Sequence, residues 1–296
     1  MAVTIVRVMM KQADRAPGLE TKEFPSYTRI DGAHSGGLIV ICDHASNALP
    51  QEYGTLGLVR RQLERHIGYD IGAAGVTKEI ARRLGVPALF ANFSRLLIDT
   101  NRGADDPTLI MRISDRAVVP GNVDCDDAER VRRIERYYEP YHRAIDEAID
   151  RCIAAGHPPA IVSIHTFTES WRGSPRPWHA GVLWDKDPRL AEPLLRALQG
   201  EPDILADANV PYSGELEGDC LYRHGTQRGL AHALVEIRQD LVQDERGQQD
   251  WGQRLARILQ QLFAASGARS TFNAICHYGS HTDKKTQEPL LEARAS

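Results

Sequence analysis

Gly37-Leu-Ile-Val-Ile-Cys42, running without a break into Asp43-His44-Ala45-Ser46-Asn47, decides the fold. Its first half is a short apolar run rich in β-branched residues, the pattern of a strand covered on both faces. Its second half turns polar and carries titratable side chains. Segments of the same build recur. Val86–Ala91 is apolar and leads through Ser94-Arg95 into Leu96-Leu-Ile-Asp99-Thr100-Asn101-Arg102. Ala160-Ile-Val-Ser-Ile164 ends in His165-Thr166-Phe167-Thr168, and Ala180-Gly-Val-Leu-Trp184 reads as a further strand. Ala233-Leu-Val-Glu-Ile237 continues into Arg238-Gln239-Asp240.

Helical patterns lie between these runs. Ile71–Leu84 has helical periodicity and stops at Gly85, with Asp70 in the position of an N-cap. A long helix is predicted from Asp126 to Ala155, with Gly156 as its C-cap and Pro140 kinking or dividing it. Pro188–Leu198 reads as a helix, and Gln248–Ala265 carries Trp251, Leu255, Ile258, Leu259 and Phe263 at helical spacing. Strands alternating with helices predict a three-layer α/β fold, a mixed and mostly parallel sheet with helices on both faces. The expected organisation is one domain over 1–296. Residues 1–35, punctuated by Pro17, Pro25 and Gly32, read as irregular, and 283–296 as a polar tail.

With 296 residues, 42% of them hydrophobic, the chain can bury a substantial core without disulfides or a structural metal, so a metal held here would serve function. The net charge of −4 has the wrong sign for neutralising phosphates, which argues against nucleic acid as a partner. No apolar run approaches the roughly 20 residues of a membrane span, and Arg7 interrupts the start of the chain where a secretory signal would be apolar. The five cysteines (Cys42, Cys125, Cys152, Cys220 and Cys276) are widely spaced and form no CxxC pair, as expected in a reducing cytoplasm. A small molecule is the expected partner. The oligomeric state stays open.

In α/β sheets, binding groups gather outside the carboxyl ends of the strands. There the sequence sets His44, Arg95, Asn101, Arg102, His165 and Glu236. Each has an ordinary structural reading by itself: a strand-end histidine as a hydrogen-bonded loop residue, the arginines as ties to carbonyls, Glu236 as a partner of Arg238 or Arg102, Asp70 as a helix cap. Together they point elsewhere. An ionised Glu236 between Val235 and Ile237 is costly unless a cation compensates it, and two imidazoles at equivalent strand ends are what a zinc site needs.

Five motifs then follow in order: Cys42-Asp-His-Ala-Ser-Asn47, Ser94-Arg-Leu-Leu-Ile-Asp-Thr-Asn-Arg102, Ser163-Ile-His-Thr-Phe-Thr168, Pro211-Tyr-Ser-Gly214 and Glu236-Ile-Arg-Gln-Asp-Leu241. Through them, over residues 37–241, the chain resembles the N-formylglutamate amidohydrolase family, which is similar in fold to the zinc carboxypeptidase and aspartoacylase superfamily. The resemblance implies a zinc-carboxypeptidase-like fold, one Zn²⁺ or another divalent metal on His44 and His165, and Glu236 as general base. It implies that Arg95 polarises the scissile carbonyl or assists with a carboxylate, and that Asn101 and Arg102 grip the substrate carboxylate. The superfamily's first ligand motif is His-x-x-Glu, and here Asn47 holds the fourth position. A neutral amide is a poor ligand beside a carboxylate, so Asp70, in Gly68-Tyr-Asp-Ile-Gly72, is preferred as the third ligand, with Asn47 the alternative. Tyr212, Tyr222 and His224 precede the Glu236 strand and are candidates for the mouth of the site, with Tyr212 or His224 assisting proton transfer; a plain loop role stays open for each.

The implied activity is zinc-dependent hydrolysis of the N-acyl amide of an acidic amino acid such as N-formylglutamate, a step of histidine degradation. The alternatives are another N-acyl amino acid deacylase, a carboxypeptidase-like peptidase, or a non-catalytic binder of carboxylates that has lost its metal. Other patterns carry less. His277 and His281 have helical spacing, but Gly279 lies between them and no acidic residue completes an HExxH pattern, so no metal is expected there. The glycines form no phosphate-binding pattern, and neither Ser46 nor Ser213 sits in a Gly-x-Ser-x-Gly elbow.

Overall fold

Along Leu38–Cys42 every side chain is buried, and alternate ones serve different layers: Leu38, Val40 and Cys42 pack on one side, Ile39 and Ile41 on the other. Buried alternation of this kind needs cover on both faces of the sheet. The computed structural model describes residues 24–283. In chain order its main elements are β1 (Tyr27–Ile30), β2 (Leu38–Cys42), α1 (Ala73–Leu84), β3 (Ala88–Ala91), α2 (Asp127–Arg133), α3 (Glu139–Ala154), β4 (Ala160–Phe167), β5 (Ala180–Leu183), α4 (Pro188–Gln199), β6 (Ala206–Ala208), β7 (His232–Arg238), α5 (Glu245–Ala264) and α6 (Ala268–Phe272). The strands form one seven-stranded sheet in the order β1-β3-β2-β4-β7-β5-β6. β3, β2, β4 and β7 run parallel, as do β5 and β6 to each other; β1 and β5 are antiparallel to their neighbours β3 and β7. The fold is α/β with a mixed, mostly parallel sheet.

Helices α1, α4 and α5 cover one face, where Val76, Ile80, Leu194, Leu255 and Ile258 meet Val40, Val162 and Val235. On the other face Tyr141, Ile145 and Ile149 of α3 meet Ile39, Ile41 and Ile161. Toward the carboxyl ends of the strands this second face holds the polar site.

The structure differs from the sequence reading in several places. Tyr27–Ile30, within the stretch expected to be irregular, is an edge strand; half of its side chains are exposed, so it shows no apolar run. β4 continues to Phe167 because its pairing with β7 persists to Arg238, and His165 therefore sits inside a strand rather than beyond it. The long helix is divided between α2 and α3 by a π-helical turn, Ile134–Tyr138, and Pro140 lies in the first turn of α3, where a missing N–H is tolerated. Asp70 does not cap α1. The cap position belongs to Gly72 at φ +85°, where an added Cβ would lie 2.2 Å from the Val242 carbonyl oxygen. Asp70 offers α1 only its main-chain carbonyl, which accepts from the Ala73 N–H at 3.2 Å, and its side chain is free to point elsewhere. Of the expected polar tail, residues 284–296 lie outside the described residues, as do 1–23 of the N-terminal stretch.

Gly181 on β5 stands opposite Glu236 on β7. A Cβ there would fall 1.7 Å from the carbonyl oxygen of Val210, so only glycine lets the loop before Tyr212 lie this close to the sheet. Gly181→Ala is expected to destabilise the fold by about 1–3 kcal/mol, lowering the melting temperature by several degrees in a thermal unfolding scan; an unchanged melting temperature would refute the close approach.

Candidate active site

Strand register assembles the site. The parallel pairing of β4 with β7 sets His165 directly beside Glu236. His44 follows the end of β2, and its carbonyl accepts the Asp70 N–H at 3.0 Å, which ties the approach to α1 to that strand end. The loop after β3 is held in the same way: the Arg95 N–H donates to the Gly68 carbonyl at 3.2 Å. His44, Asp70, His165 and Glu236 are all buried, none more than 6% exposed.

The carboxylate of Asp70 is the hub. Its Oδ2 lies 2.8 Å from Nδ1 of His165 and 3.3 Å from Nδ1 of His44, and its Oδ1 accepts from Arg95 Nη1 at 3.1 Å. One ligand atom from each of His44, Asp70 and His165 can be chosen so that all lie within 4.8 Å of one another. The far nitrogen of each imidazole meets another buried carboxylate. His44 Nε2 is 2.6 Å from Asp99, and His165 Nε2 is 3.0 Å from Asp43. Carboxylates behind histidines in this way fix the ring orientation and raise its basicity, the outer arrangement of metal-bound imidazoles. Asp99 also accepts from Arg95 Nε at 3.4 Å and from the Asn101 N–H at 2.9 Å, while Asp43 accepts from the hydroxyls of Ser163 at 2.8 Å and Tyr141 at 3.0 Å.

Charge explains why this cluster suits a cation. Burial raises the carboxyls of Asp43, Asp70 and Asp99, but the surrounding imidazole and guanidinium groups outweigh it and hold all three well below the usual carboxylate range. Burial alone would strip His165 of its proton; Asp43 and Asp70 instead push it up to about 10. Negative charge that retains a proton this firmly also favours a divalent ion in its place. Burial, reinforced by Asp70 and opposed by His165 and Arg95, pushes Glu236 up to about 7. Its Oε2 is buried and has no hydrogen-bond partner among the described residues. Arg238, one partner considered from the sequence, is bound to Asp240 at 2.7 Å.

Asp70, His165 and Glu236 face a cavity of about 450 Å³, while His44, Asp43 and Asp99 lie behind its lining; the volume is within the usual range for small-molecule sites. Arg95, Asn101, Arg102 and Tyr212 line it together with Asp70, His165 and Glu236. Two of Arg95's nitrogens are already engaged by Asp70 and Asp99. Arg102 donates to the neighbouring Asn101 carbonyl at 2.9 Å and makes no ion pair within 4 Å among the described residues. The Oδ1 of Asn101 accepts the Cys220 N–H at 3.2 Å. Tyr212 stands at the mouth, 45% exposed, its hydroxyl accepting from Arg176 at 3.3 Å. Tyr222 also borders the cavity, and its hydroxyl donates to Asp283 at 2.9 Å.

Two sequence candidates fall elsewhere. His224 does not line the cavity; it is fully buried in a π-helical turn, with Nε2 2.8 Å from His142 and Nδ1 3.0 Å from Asp146. The extra residue of that turn directs the ring inward, which a loop reading of the segment could not foresee. Asn47 donates from its amide to the Leu63 carbonyl at 3.2 Å and stays apart from the histidines. The sequence reading gave no role to Asp43 and Asp99. Their signal was present: each is an acid at the end of an apolar run, as the histidines are.

The N-formylglutamate amidohydrolase family model matches residues 36–243. This stretch holds every residue of the cluster. The chain belongs to the N-formylglutamate amidohydrolase family. Like other members of an amidohydrolase family, it is an enzyme of amide hydrolysis. Among solved structures, a gene product of Agrobacterium tumefaciens is similar over 81% of this chain and 95% of its own, with 33% identity and a TM-score of 0.76. The N-formylglutamate amidohydrolase of Ralstonia eutropha shares the fold over 83% of this chain and 98% of its own, with 22% identity and a TM-score of 0.63. No curated protein sequence matches the chain.

Titration with zinc is expected to give one tight site per chain. His44→Ala and His165→Ala should each abolish it while circular dichroism stays that of a folded protein; full zinc occupancy in both variants would remove the histidines from the site. Asp70→Asn should weaken zinc strongly and Asn47→Ala should not, as elemental analysis after dialysis would reveal.

Proposed function

We propose that the chain hydrolyses the amide of an N-acyl amino acid with a divalent metal, zinc as first choice, held by His44, Asp70 and His165. N-formyl-L-glutamate is the reference substrate that the family supplies. One observation carries this reading: the Oε2 of Glu236 is buried without a partner, next to a group of two imidazoles and a carboxylate that have the donor types and spacing of a zinc site. A buried carboxylate oxygen without a partner is expensive for a merely structural residue. It suits one that must accept a proton.

When bound, zinc supplies Lewis acidity, polarising a carbonyl and acidifying a water. The rest is done by the chain. Glu236 takes the proton of the attacking water; burial, reinforced by Asp70, pushes its carboxyl above the usual carboxylate range, which strengthens it as a proton acceptor. Water oxygen adds to the acyl carbon, the C–N bond breaks, and the proton held on Glu236 passes to the leaving nitrogen. The products are a carboxylate and a free amino acid. Arg102 and the Asn101 amide, both facing the cavity, hold the substrate carboxylate. Arg95 keeps Asp70 and Asp99 in place and presents positive charge toward the developing oxyanion. Tyr212 closes the mouth over the reacting amide. The five free cysteines, three of them buried, support a reducing compartment such as the cytoplasm.

Glu236→Gln preserves shape but cannot take the proton. Turnover is expected to fall by ~10²–10⁴, equivalent to about 3–5 kcal/mol in barrier height, with bound zinc near the native level. Near-native kcat would refute the base role, and loss of zinc would make Glu236 a ligand. Arg102→Lys keeps the charge but loses the planar fork. KM for a free-carboxylate substrate should rise, while the matching carboxamide is hardly affected. Equal effects on both would assign Arg102 a structural role.

A further inference from the structure

The cavity has two unlike ends. Around Glu236 and His165 it is polar and charged. On the same face of β7, two residues back along the strand and so roughly 7 Å away, lies Leu234, whose partner on β5 is Leu183. Both side chains line the cavity, as do Leu216 and Leu221, and Leu221 shares their apolar cluster. Leu183, Leu221 and Leu234 form an apolar patch of the lining beside the reacting centre, with His232 the next residue on that face of β7. The metal, the base and the carboxylate clamp leave it unused.

The charge on the walls is also one-sided. Among the described residues, the arginines lining the cavity are Arg95 and Arg102, and no lysine joins them. Arg95 is engaged by two carboxylates, which leaves Arg102 as the guanidinium for one substrate carboxylate. The lining also holds Asp219, whose carboxyl burial pushes up to about 7, and Asp185, which meets the imidazole of His281. Asp219 is buried and accepts the Tyr222 N–H at 2.6 Å, and Asp185 accepts the His281 N–H at 3.0 Å. A second carboxylate placed there would lose its water to leucines, with no lysine or further arginine in the lining to receive it. Charge without a partner in such surroundings is strongly disfavoured.

We propose that this site takes N-acyl amino acids with a single carboxylate and an apolar group of about leucine size beside the scissile amide, in preference to a dicarboxylate such as N-formylglutamate. The inference rests on the amidohydrolase reading and departs from the acidic substrate implied by the resemblance. The apolar group belongs either to the amino-acid side chain or to the acyl chain; both pack on the same patch and present one carboxylate to Arg102.

The metal-loaded full chain is assayed with N-formyl-L-leucine, N-hexanoylglycine and N-formyl-L-glutamate, and kcat/KM is compared. Full burial of a leucine-sized group corresponds to a preference of roughly ten- to a hundred-fold. N-formyl-L-leucine or N-hexanoylglycine should exceed N-formyl-L-glutamate by at least that lower figure; the first as winner assigns the patch to the amino-acid side chain, the second to the acyl chain. N-formyl-L-glutamate equal or superior to both would overturn the inference and leave the amidohydrolase reading standing. Should none be hydrolysed, that reading fails, and the dissociation constants of the same compounds by calorimetry decide the inference. Tighter binding of an apolar compound supports it, and equal or tighter binding of N-formyl-L-glutamate overturns it.

Discussion

Three carboxylates lie buried in one group at the carboxyl ends of the strands, and this part of the molecule is organised around compensating them. Asp43, Asp70 and Asp99 are each almost wholly removed from water, where an isolated charge would be prohibitive. They are met by two imidazoles, one guanidinium, two hydroxyls and main-chain N–H groups, drawn from the loop after β2, from β4 and α3, and from the loop after β3. Asp70 alone joins three of these segments. Because each acid is satisfied by groups from other segments, removing one partner exposes an uncompensated charge rather than a simple gap, and the penalties of such losses are large. The geometry presented to a metal is thus a by-product of electrostatic closure. The ring nitrogens not claimed by Asp43 and Asp99 converge because their positions are already fixed.

Most of the frame was legible in the sequence because its signal is local. Buried parallel strands announce themselves as unbroken apolar runs, and the run Leu38–Cys42 and its counterparts sit where they were read, within a few residues at the ends. The histidines and Glu236 could be singled out because polar residues interrupting or ending such runs are conspicuous. Asp70 was harder. It follows a glycine-containing loop and precedes a helix, so local chemistry favours a cap; its true surroundings come from His44 and His165, which lie 26 and 95 positions away in the chain. No local pattern encodes separations of that kind.

The same limit accounts for His224 and for the edge strand. His224 was placed near the site by its position before the Glu236 strand, but a π-helical turn directs its ring toward His142 and Asp146 instead. Tyr27–Ile30 owes its strand to β3 rather than to its own composition: its register partners, Ala88–Ala91, are buried, whereas two of its four side chains are exposed. In both cases a neighbour distant in sequence decides. The apolar patch is a third example, since Leu183 and Leu234 became one surface only when β5 and β7 paired.

The π-helical turn between α2 and α3 has a consequence of a mechanical kind. A wide turn accommodates one residue more than an ordinary turn, so the segments before and after it are out of phase by about 100° relative to a continuous α-helix. That offset lets Arg133, before the turn, bind the main chain of Leu97, while Tyr141, after it, reaches Asp43. One helical rod could not aim both side chains as they stand. The turn acts as a fixed twist in the rod, and a deletion of a single residue there would unwind it, rotating one of the two anchors away from its target. A segment that begins 32 residues beyond Arg102 therefore sets the orientation of a carboxylate behind His165, without contributing any atom to the cavity itself.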